Sequence, residues 1–441
     1  MEQRRKNLTQ LFIPICLETL LYMLSGMVDT LMLSSVNDQA VGAVGTANTY
    51  IGIFIIMFSV ISSGMVAVMT QNIGADRPGV AYQARQLGLA FNAVLGVIMS
   101  LFLSLGAGTI LSGVGVADAL MQPARTYLQI VGGFCILNAL IPICSSYLRA
   151  FGFSKEPLYA SIIGNVINFC LNAFFLFVLH KGVAGVATAT VISRIINLVI
   201  VVLLGAVLVK AKQHPERESN RAVMGQIIRI GLPSACETAI YNVSMTLVIR
   251  FLNQMDAQGL NVTARSYTMQ ITNFSYCVGA ALAQANAIMT GWHIGAKEYD
   301  ACDRGTKKAA VIGVIVAVIL ETVFTLCSGW IMQLFSKDPQ MVSLVGKLLA
   351  IDIVLEIGRV TNLVYGQALK TSGDAVFPVV MGACFMILCS VGGTYLFGIR
   401  LGLLAVGAYI GMTGDECVRA VGMYLRWKSG KWKEKGLVKS R

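Results

Sequence analysis

The chain is poor in charge: only 13% of its 441 residues are Asp, Glu, Lys or Arg, about half the share in a soluble domain. Histidine is scarcer still. His180, His214 and His293 are the only three, all in segments expected to be loops, so a metal centre or histidine-based catalysis has little to build on. The eleven cysteines stand singly, as at Cys16, Cys135, Cys170, Cys277 and Cys389, with no CxxC pair or framework spacing, and read as small core hydrophobes. The sequence contains no GxxxxGK[ST], so nothing in this chain suggests an ATP-driven pump, and neither a nucleophile elbow nor HExxH occurs. An enzyme embedded in the membrane would need clustered His, Cys or a serine dyad in its spans, and none is visible. A protein that is not an enzyme and carries no cofactor is expected, with its energy coming from an ion gradient or a partner.

Apolar residues are what the chain has in excess: 56% are hydrophobic and the mean hydropathy is +0.71. Apolar stretches of roughly 20 residues, enough to span a bilayer as a helix, centre on Leu20, Phe58, Ile98, Ile136, Cys170, Asn197, Ser244, Val278, Ala317, Leu355, Leu388 and Tyr409. These runs are continuous rather than alternating, which excludes a β-barrel. The expected fold is an all-α polytopic membrane protein of twelve transmembrane helices. The net charge of +12 does not point to nucleic acid, because of where the bases lie. Alternate inter-helix segments, from Arg4, Arg5 and Lys6 to the Arg426–Arg441 tail, hold 24 Lys and Arg; the opposite segments hold seven, Arg125, Lys181, Arg250, Arg265, Lys337, Lys347 and Arg400. Both termini are therefore expected in the cytoplasm. The polar leader Met1 to Asn7 is short and the first apolar run continues straight into a two-lobed membrane protein, so no cleaved signal peptide is expected, and the tail from Arg426, with Trp427 and Trp432, reads as an anchor on anionic lipid.

The chain also repeats itself. Pro14-Ile15-Cys16-Leu17-Glu18-Thr19-Leu20-Leu21-Tyr22 returns as Pro233-Ser234-Ala235-Cys236-Glu237-Thr238-Ala239-Ile240-Tyr241, 219 residues on, with Ser25 and Ser244 in register. At an offset of 221, Ile73-Gly74-Ala75 returns as Ile294-Gly295-Ala296, and Leu148-Arg149, Gly152 and Pro157 return as Leu369-Lys370, Gly373 and Pro378. Three matches in one order at almost constant spacing indicate a duplicated unit. The expected organisation is an N-terminal six-helix lobe at residues 1–208, a cytoplasmic linker at 209–228, a C-terminal six-helix lobe at 229–426 and a basic tail at 427–441. Six spans per copy is an even number, so the repeats are parallel, pseudo-symmetric about the membrane normal, with a central cavity expected between them. The shared Ile-Gly-Ala is read as a helix-ending turn in which Gly takes the left-handed position.

A carboxylate within a span is costly unless it has a role. Glu18 and Asp29 lie eleven positions apart on one face of the first span, about three helical turns; only Asp29 lacks an acidic twin, its register partner being Val248. Such an acid can take up a proton or hold a cation, or simply make a structural hydrogen bond, and the latter reading stands beside the former for Glu18 and Glu237. In the tenth span Asp352, Glu356, Arg359 and Asn362 form one stripe, either a self-neutralising pair or a cavity-facing site. Asn165, Asn168 and Asn172 share a face in the fifth span, and Thr188 and Thr190 precede Arg194 in the sixth.

Taken together, several segments resemble the multidrug and toxic compound extrusion (MATE) family, bacterial type, over residues from about Leu11 to Arg426: the Pro14-led span ending Val28-Asp29-Thr30, Gln71-Asn72-Ile73-Gly74-Ala75, Leu148-Arg149-Ala150-x-Gly152, Gly182-Val183-Ala184-Gly185-Val186-Ala187-Thr188-Ala189-Thr190, and Glu356-x2-Arg359-x2-Asn362 followed by Leu369-Lys370-x2-Gly373-Asp374. The resemblance implies a monomeric multi-pass antiporter of the bacterial plasma membrane that exports amphipathic, often cationic, small organic compounds in exchange for H+ or Na+. It places Asp29 where bacterial members carry a coupling aspartate, and Asn168, Asn172 and Thr190 near the polar cluster around it. Two departures stand out. Asn172 occupies a place where many members have an aspartate. In the branch that binds Na+ in its C-terminal lobe, the seventh-span acid would fall at Tyr241 rather than Glu237 and the tenth-span acid at Arg359. Glu18, Glu237, Tyr241, Glu356, Arg359 and Asn362 are the candidates for a second polar cluster or substrate site. A flippase of the same fold superfamily, moving a lipid-linked or polyanionic molecule, is the alternative. The excess of intramembrane acids over the three bases Arg194, Arg359 and Arg419 favours a cationic substrate.

Overall fold

The computed structural model of the chain describes residues 6–34, 38–113, 116, 118–210, 216–256, 258–333 and 335–438, and is helical throughout, with no strand among the described residues. Arg4, Arg5, Lys212, His214, Lys439 and Arg441, which entered the charge and linker readings, lie outside them. The chain divides into two compact units, Met1–Leu232 and Pro233–Arg441. Continuous apolar sequence leaves the backbone no partner but itself in a membrane, and the helix satisfies every amide within one segment.

The first unit contains α1 (Leu8–Ser34), α2 (Asp38–Gly74), α3 (Pro78–Gly113), α4 (Asp118–Tyr127), α5 (Ile136–Ala150), α6 (Lys155–Ala173) and α7 (Gly182–Leu208). A π-helical turn at Leu128–Gly132 joins α4 to α5 at a 43° bend, so the pair serves as one broken span. Helix α8 (Asn220–Met255) begins inside the stretch 209–228 expected as linker, and crosses the division at Pro233. Gln83 ties its start to α3 by donating from Nε2 to the Glu218 carbonyl at 2.7 Å and to Asn220 Oδ1 at 2.6 Å.

The second unit continues with α9 (Leu260–Gly295), α10 (Tyr299–Leu326), α11 (Ser328–Met332), α12 (Pro339–Ser372), α13 (Val376–Phe385), which runs on through π-helical turns to Arg400, and α14 (Leu404–Lys428). Pro339 opens α12, and the Asp338 carboxylate accepts the Gln340 N–H at 3.0 Å, a proper N-cap. Every one of the twelve expected span centres falls on a helix, six in each half. By length and apolarity alone, seven helices among the described residues qualify as membrane spans, or eight with the bent pair. Helices α8, α9, α12 and α14 do not, because polar side chains interrupt them.

The duplicated motifs adopt duplicated geometry. Helices α2 and α9 both end on the Ile-Gly of the repeat, and Arg77 N–H reaches back to the Asn72 carbonyl at 2.8 Å as Glu298 N–H does to the His293 carbonyl at 2.8 Å. The left-handed residue is not the glycine, however. It is Asp76 at φ 56° and Lys297 at φ 59°, two positions later, with Gly74 and Gly295 still helical. At the other repeat glycine does take the turn: Gly152 has φ 86° and Gly373 has φ 98°, each just past the end of a helix.

The basic tail departs from the expectation of a lipid anchor. Trp427 and Trp432 are each only 1% exposed, stacked on one another with ring centroids 4.2 Å apart. Trp427 donates its indole N–H to Asp303 on α10 at 2.9 Å, and Trp432 donates to the Trp427 carbonyl at 2.9 Å. The chain reverses at Gly430 and brings the Lys435 carbonyl onto Gly373, where no Cβ would fit. An indole whose N–H is satisfied inside the protein gains more from packing there than at a headgroup layer. Among the described residues, Lys428, Lys431, Lys433 and Lys435 of the tail remain exposed, with Ser429 and Glu434.

Two outcomes are expected. Lys297→Gly relieves a left-handed conformation on an exposed side chain and raises the melting temperature of the purified protein by about 2 °C, the shift that roughly 1 kcal/mol gives in a unit of this size; an unchanged or lower value would mean no strain resides there. Trp432→Ala costs about 3 kcal/mol of local stability and lowers thermal stability in neutral detergent as much as in anionic liposomes. Sensitivity confined to anionic lipid would restore the anchor reading.

Candidate functional site

Polar groups collect at one place in each unit. In the first, α1, α6 and α7 pack together and bring Asp29 to the asparagine face of α6. Asn172 Nδ2 donates to Asp29 Oδ1 at 2.7 Å and to Asn168 Oδ1 at 3.2 Å. Both asparagines are buried, while Asp29 is half-buried and has no salt-bridge partner among the described residues. The Thr190 hydroxyl donates to its own helix at the Val186 carbonyl, 2.9 Å away, and does not bond Asp29. Arg194 on α7 and Tyr127 on α4 lie within electrostatic reach of Asp29. Of the four candidates, three are therefore joined in one hydrogen-bonded chain. Arg194 and Tyr127 complete the surroundings; neither shares a helix with Asp29, and no spacing in the sequence ties either to it.

In the second unit, α12 packs against α9, α10 and α14, and α12 and α14 carry most of the unit's buried charge. They approach closely at Gly358, where a Cβ would stand 2.8 Å from the Cys417 amide nitrogen; any side chain would force the helices apart. That contact sets Arg359 beside α14. Arg359 Nη1 donates to Glu356 Oε1, and its Nε lies 3.7 Å from Glu416 Oε1. Asn362 Nδ2 donates to Glu416 Oε2 at 3.0 Å. Arg419 reaches Glu416 Oε1 at 2.8 Å and Asp415 by two bonds of 2.8 and 3.0 Å, and the Ser390 hydroxyl donates to Asp415 at 3.0 Å. Glu321 on α10, fully buried, sits near Asp352, Glu356 and Ser275, and neither of its carboxylate oxygens makes a regular hydrogen bond.

A cavity of about 390 Å³ opens onto this network. Its wall includes Glu237, Tyr241, Asp352, Arg359, Asn362, Glu416 and Arg419, softened by Met245, Met269, Met386 and Met412. Five of the six candidates for the second polar cluster thus belong to the second unit, with Glu356 directly behind Arg359. Glu18 does not. It lies in the first unit, its Oε2 2.5 Å from Arg149 Nη2. Its repeat partner Glu237 stands 2.6 Å from Lys370 Nζ. The two repeated motifs, more than a hundred residues apart in each copy, meet as equivalent ion pairs.

Two expectations change here, and one pairing is new. Arg265, counted with the bases outside the spans, is buried in α9 and lines the cavity. The cavity wall carries Arg265, Arg359, Lys370 and Arg419 against Glu237, Asp352 and Glu416, so counting intramembrane acids against three bases does not by itself select a cationic substrate. Asp415 and Glu416 on α14 turn out to be the counter-charges that hold Arg359 and Arg419. The pairs with Arg419 are local to α14, at spacings of three and four, whereas the approach of Glu416 to Arg359 shows only in the fold, because α14 lies some fifty residues from α12.

Comparison with known proteins supplies the family. The MatE family model matches the chain twice, at residues 14–174 and 233–396. A relative in Bacillus subtilis (strain 168), described as the uncharacterized transporter YisQ, is 33% identical over 96% of this chain and 94% of its own length. The probable multidrug resistance protein NorM of Thermotoga maritima is 23% identical over 98% of this chain and 94% of its own. Among solved structures, one described as the outward-facing conformation of a multidrug resistance MATE family transporter superposes with a TM-score of 0.87 at 18% identity, covering 98% of this chain and 96% of that one. The chain belongs to the MATE family: it is a multi-pass membrane transporter built of two six-helix repeats, and not an enzyme.

Proposed function

We propose that this transporter exports amphipathic small organic compounds from the cytoplasm in exchange for H+ or Na+, with Asp29 as the coupling group of the first unit and the cavity of the second unit as a place where substrate is received. Relatives named for multidrug resistance support the export of drugs or drug-like metabolites. The observation that carries the coupling role is the environment of Asp29: a half-buried carboxylate on an apolar helix, held by one amide donor from Asn172 and by no salt bridge. An acid already locked to a base cannot readily exchange its proton or cation, because breaking a buried pair is costly. Asp29 has no such lock, whereas Glu18 and Glu237 do. A neutral asparagine in place of a second aspartate at 172 leaves the site one exchangeable charge. Placement of both termini in the cytoplasm follows from the asymmetry of Lys and Arg.

A flippase for a polyanionic molecule would call for a wall of free basic groups. Three of the four cavity bases are held in ion pairs, Arg359 and Arg419 by α12 and α14 carboxylates and Lys370 by Glu237, so export of amphiphiles is preferred.

Asp29→Asn is expected to lower gradient-driven ethidium efflux from everted vesicles about tenfold or more while expression and thermal stability hold. Normal efflux from this variant would end the coupling assignment. Driving the same vesicles first with a proton gradient, then with a Na+ gradient, identifies the ion.

A further inference from the structure

Arg265 is the cavity base that the network leaves out. It lies on α9, one turn and a half beyond the helix start, with 5% of its surface exposed. Its hydrogen bond runs from Nη2 to Met245 Sδ at 3.8 Å, a weak acceptor, and its Nε is buried without a partner. Among the described residues no carboxylate lies within salt-bridge distance of it. By contrast Arg359, Arg419 and Lys370 each hold at least one. A guanidinium buried without an anion is among the most costly groups a protein can keep. Of its neighbours on the same wall, Asp352 makes no salt bridge to it and Tyr409 is a neutral phenol.

The position is also fixed. The Asp256 carboxylate accepts the backbone N–H of Leu260 at 2.8 Å and of Asn261 at 3.1 Å, and the Asn261 side-chain amide at 2.6 Å. Asn261 Oδ1 in turn accepts the Ala405 N–H of α14 at 3.0 Å. The first turn of α9 is thereby clamped to α14, and Arg265 is held one turn further in, against the cavity. Apolar surface from Met245, Met269 and Met412 lies beside it, and methionine adapts to varied shapes.

We propose that Arg265 is an anion-recognition residue of the second unit's cavity, and that the compounds received there include amphipathic molecules bearing a carboxylate, which pairs with the guanidinium while the apolar body rests on the methionines. The planar fork of arginine matches a carboxylate in two parallel bonds. Asp352, whose Oδ2 makes no hydrogen bond, gives the same cavity an opposite pole, so a zwitterion fits it as well as a simple acid. This inference rests on the reading that the cavity receives transported compounds.

The test uses tetramethylrhodamine as the free acid and as its methyl ester, two dyes that differ in the carboxylate alone, bound to the purified full-length protein in detergent and read by fluorescence anisotropy. Wild-type protein is expected to bind both. Arg265→Gln should weaken the acid about tenfold or more, the worth of a charge-assisted hydrogen bond, and leave the ester within about twofold. Arg265→Lys, which keeps the charge and loses the fork, should fall between. Equal weakening of both dyes, no change for the acid, or failure of wild-type protein to bind the acid would each overturn the proposal. Should Arg265→Gln fail to yield folded protein, Arg265→Lys decides: a selective loss of the acid upholds the assignment and an equal loss overturns it. Efflux from everted vesicles judges the transport reading separately. Binding without efflux would defeat that reading and leave the anion site standing, whereas efflux with equal sensitivity of both dyes to Arg265→Gln would do the reverse.

Discussion

Charge taken out of water must be matched where it is buried, and in the second unit the matching depends on how closely α12 and α14 approach. Gly358 lets the two backbones meet, and only at that separation can Glu416, already paired with Arg419 on its own helix, also receive Asn362 and face Arg359 from α12. Were the helices an ångström or two further apart, the 3.0 Å bond from Asn362 and the 3.7 Å approach of Arg359 to Glu416 would be lost, and the two ion-paired stretches, each neutralised within its own helix, would no longer be joined. The cavity wall is thus the face of a rigid electrostatic network. Its shape is set by packing, and its chemistry by which charges the packing leaves over.

The two units use the same ancestral plan for different ends. In both, a glutamate from the unit's first span pairs with a base at the end of a later helix, Glu18 with Arg149 and Glu237 with Lys370. Equivalent turns close α2 and α9, and α5 and α12. Beyond this shared frame the units diverge. Asp29 in the first unit has Val248 as its counterpart in the repeat, fully buried in the apolar core of the second. Conversely, the six acids and four bases in and behind the second unit's cavity have no similarly dense counterpart around Asp29, where asparagines dominate. A sparse polar site favours an exchangeable ion, and a dense one favours a defined binding surface.

Much of this was legible in the sequence because it depends on local pattern. Twelve apolar stretches gave twelve spans, and the offset of 219 to 221 residues showed the repeat. The three-residue and four-residue spacing of the asparagines placed them on the face that meets Asp29. What escaped depends on contacts between distant segments. Arg265 was indistinguishable from an outer-loop base, because a long polar helix such as α9 gives no hydropathy edge to mark where burial begins. The tryptophans of the tail fit a lipid interface by composition. Only the reversal at Gly430 and the acceptor at Asp303 show them turned inward. The left-handed turn was expected at glycine because glycine tolerates it best, yet Asp76 and Lys297 hold it instead. The Schellman-type bond from Arg77 and from Glu298 fixes the turn by register, whichever residue occupies it.

These exceptions share a cause. A side chain's local preference is weak, on the order of 1 kcal/mol, whereas a buried hydrogen bond or ion pair that loses its partner costs several times more. The tertiary contact therefore decides wherever the two conflict. By that measure the most informative residue is one whose tertiary contacts leave it unsatisfied despite burial. Glu18 and Glu237, conspicuous in the sequence as repeated carboxylates, are matched by bases and need no ligand to account for them. Arg265, inconspicuous in the sequence, is buried, clamped in place through Asp256 and Asn261, and short of an anion. In a transporter, a deficit of that kind facing a cavity is where the cargo's own charge belongs.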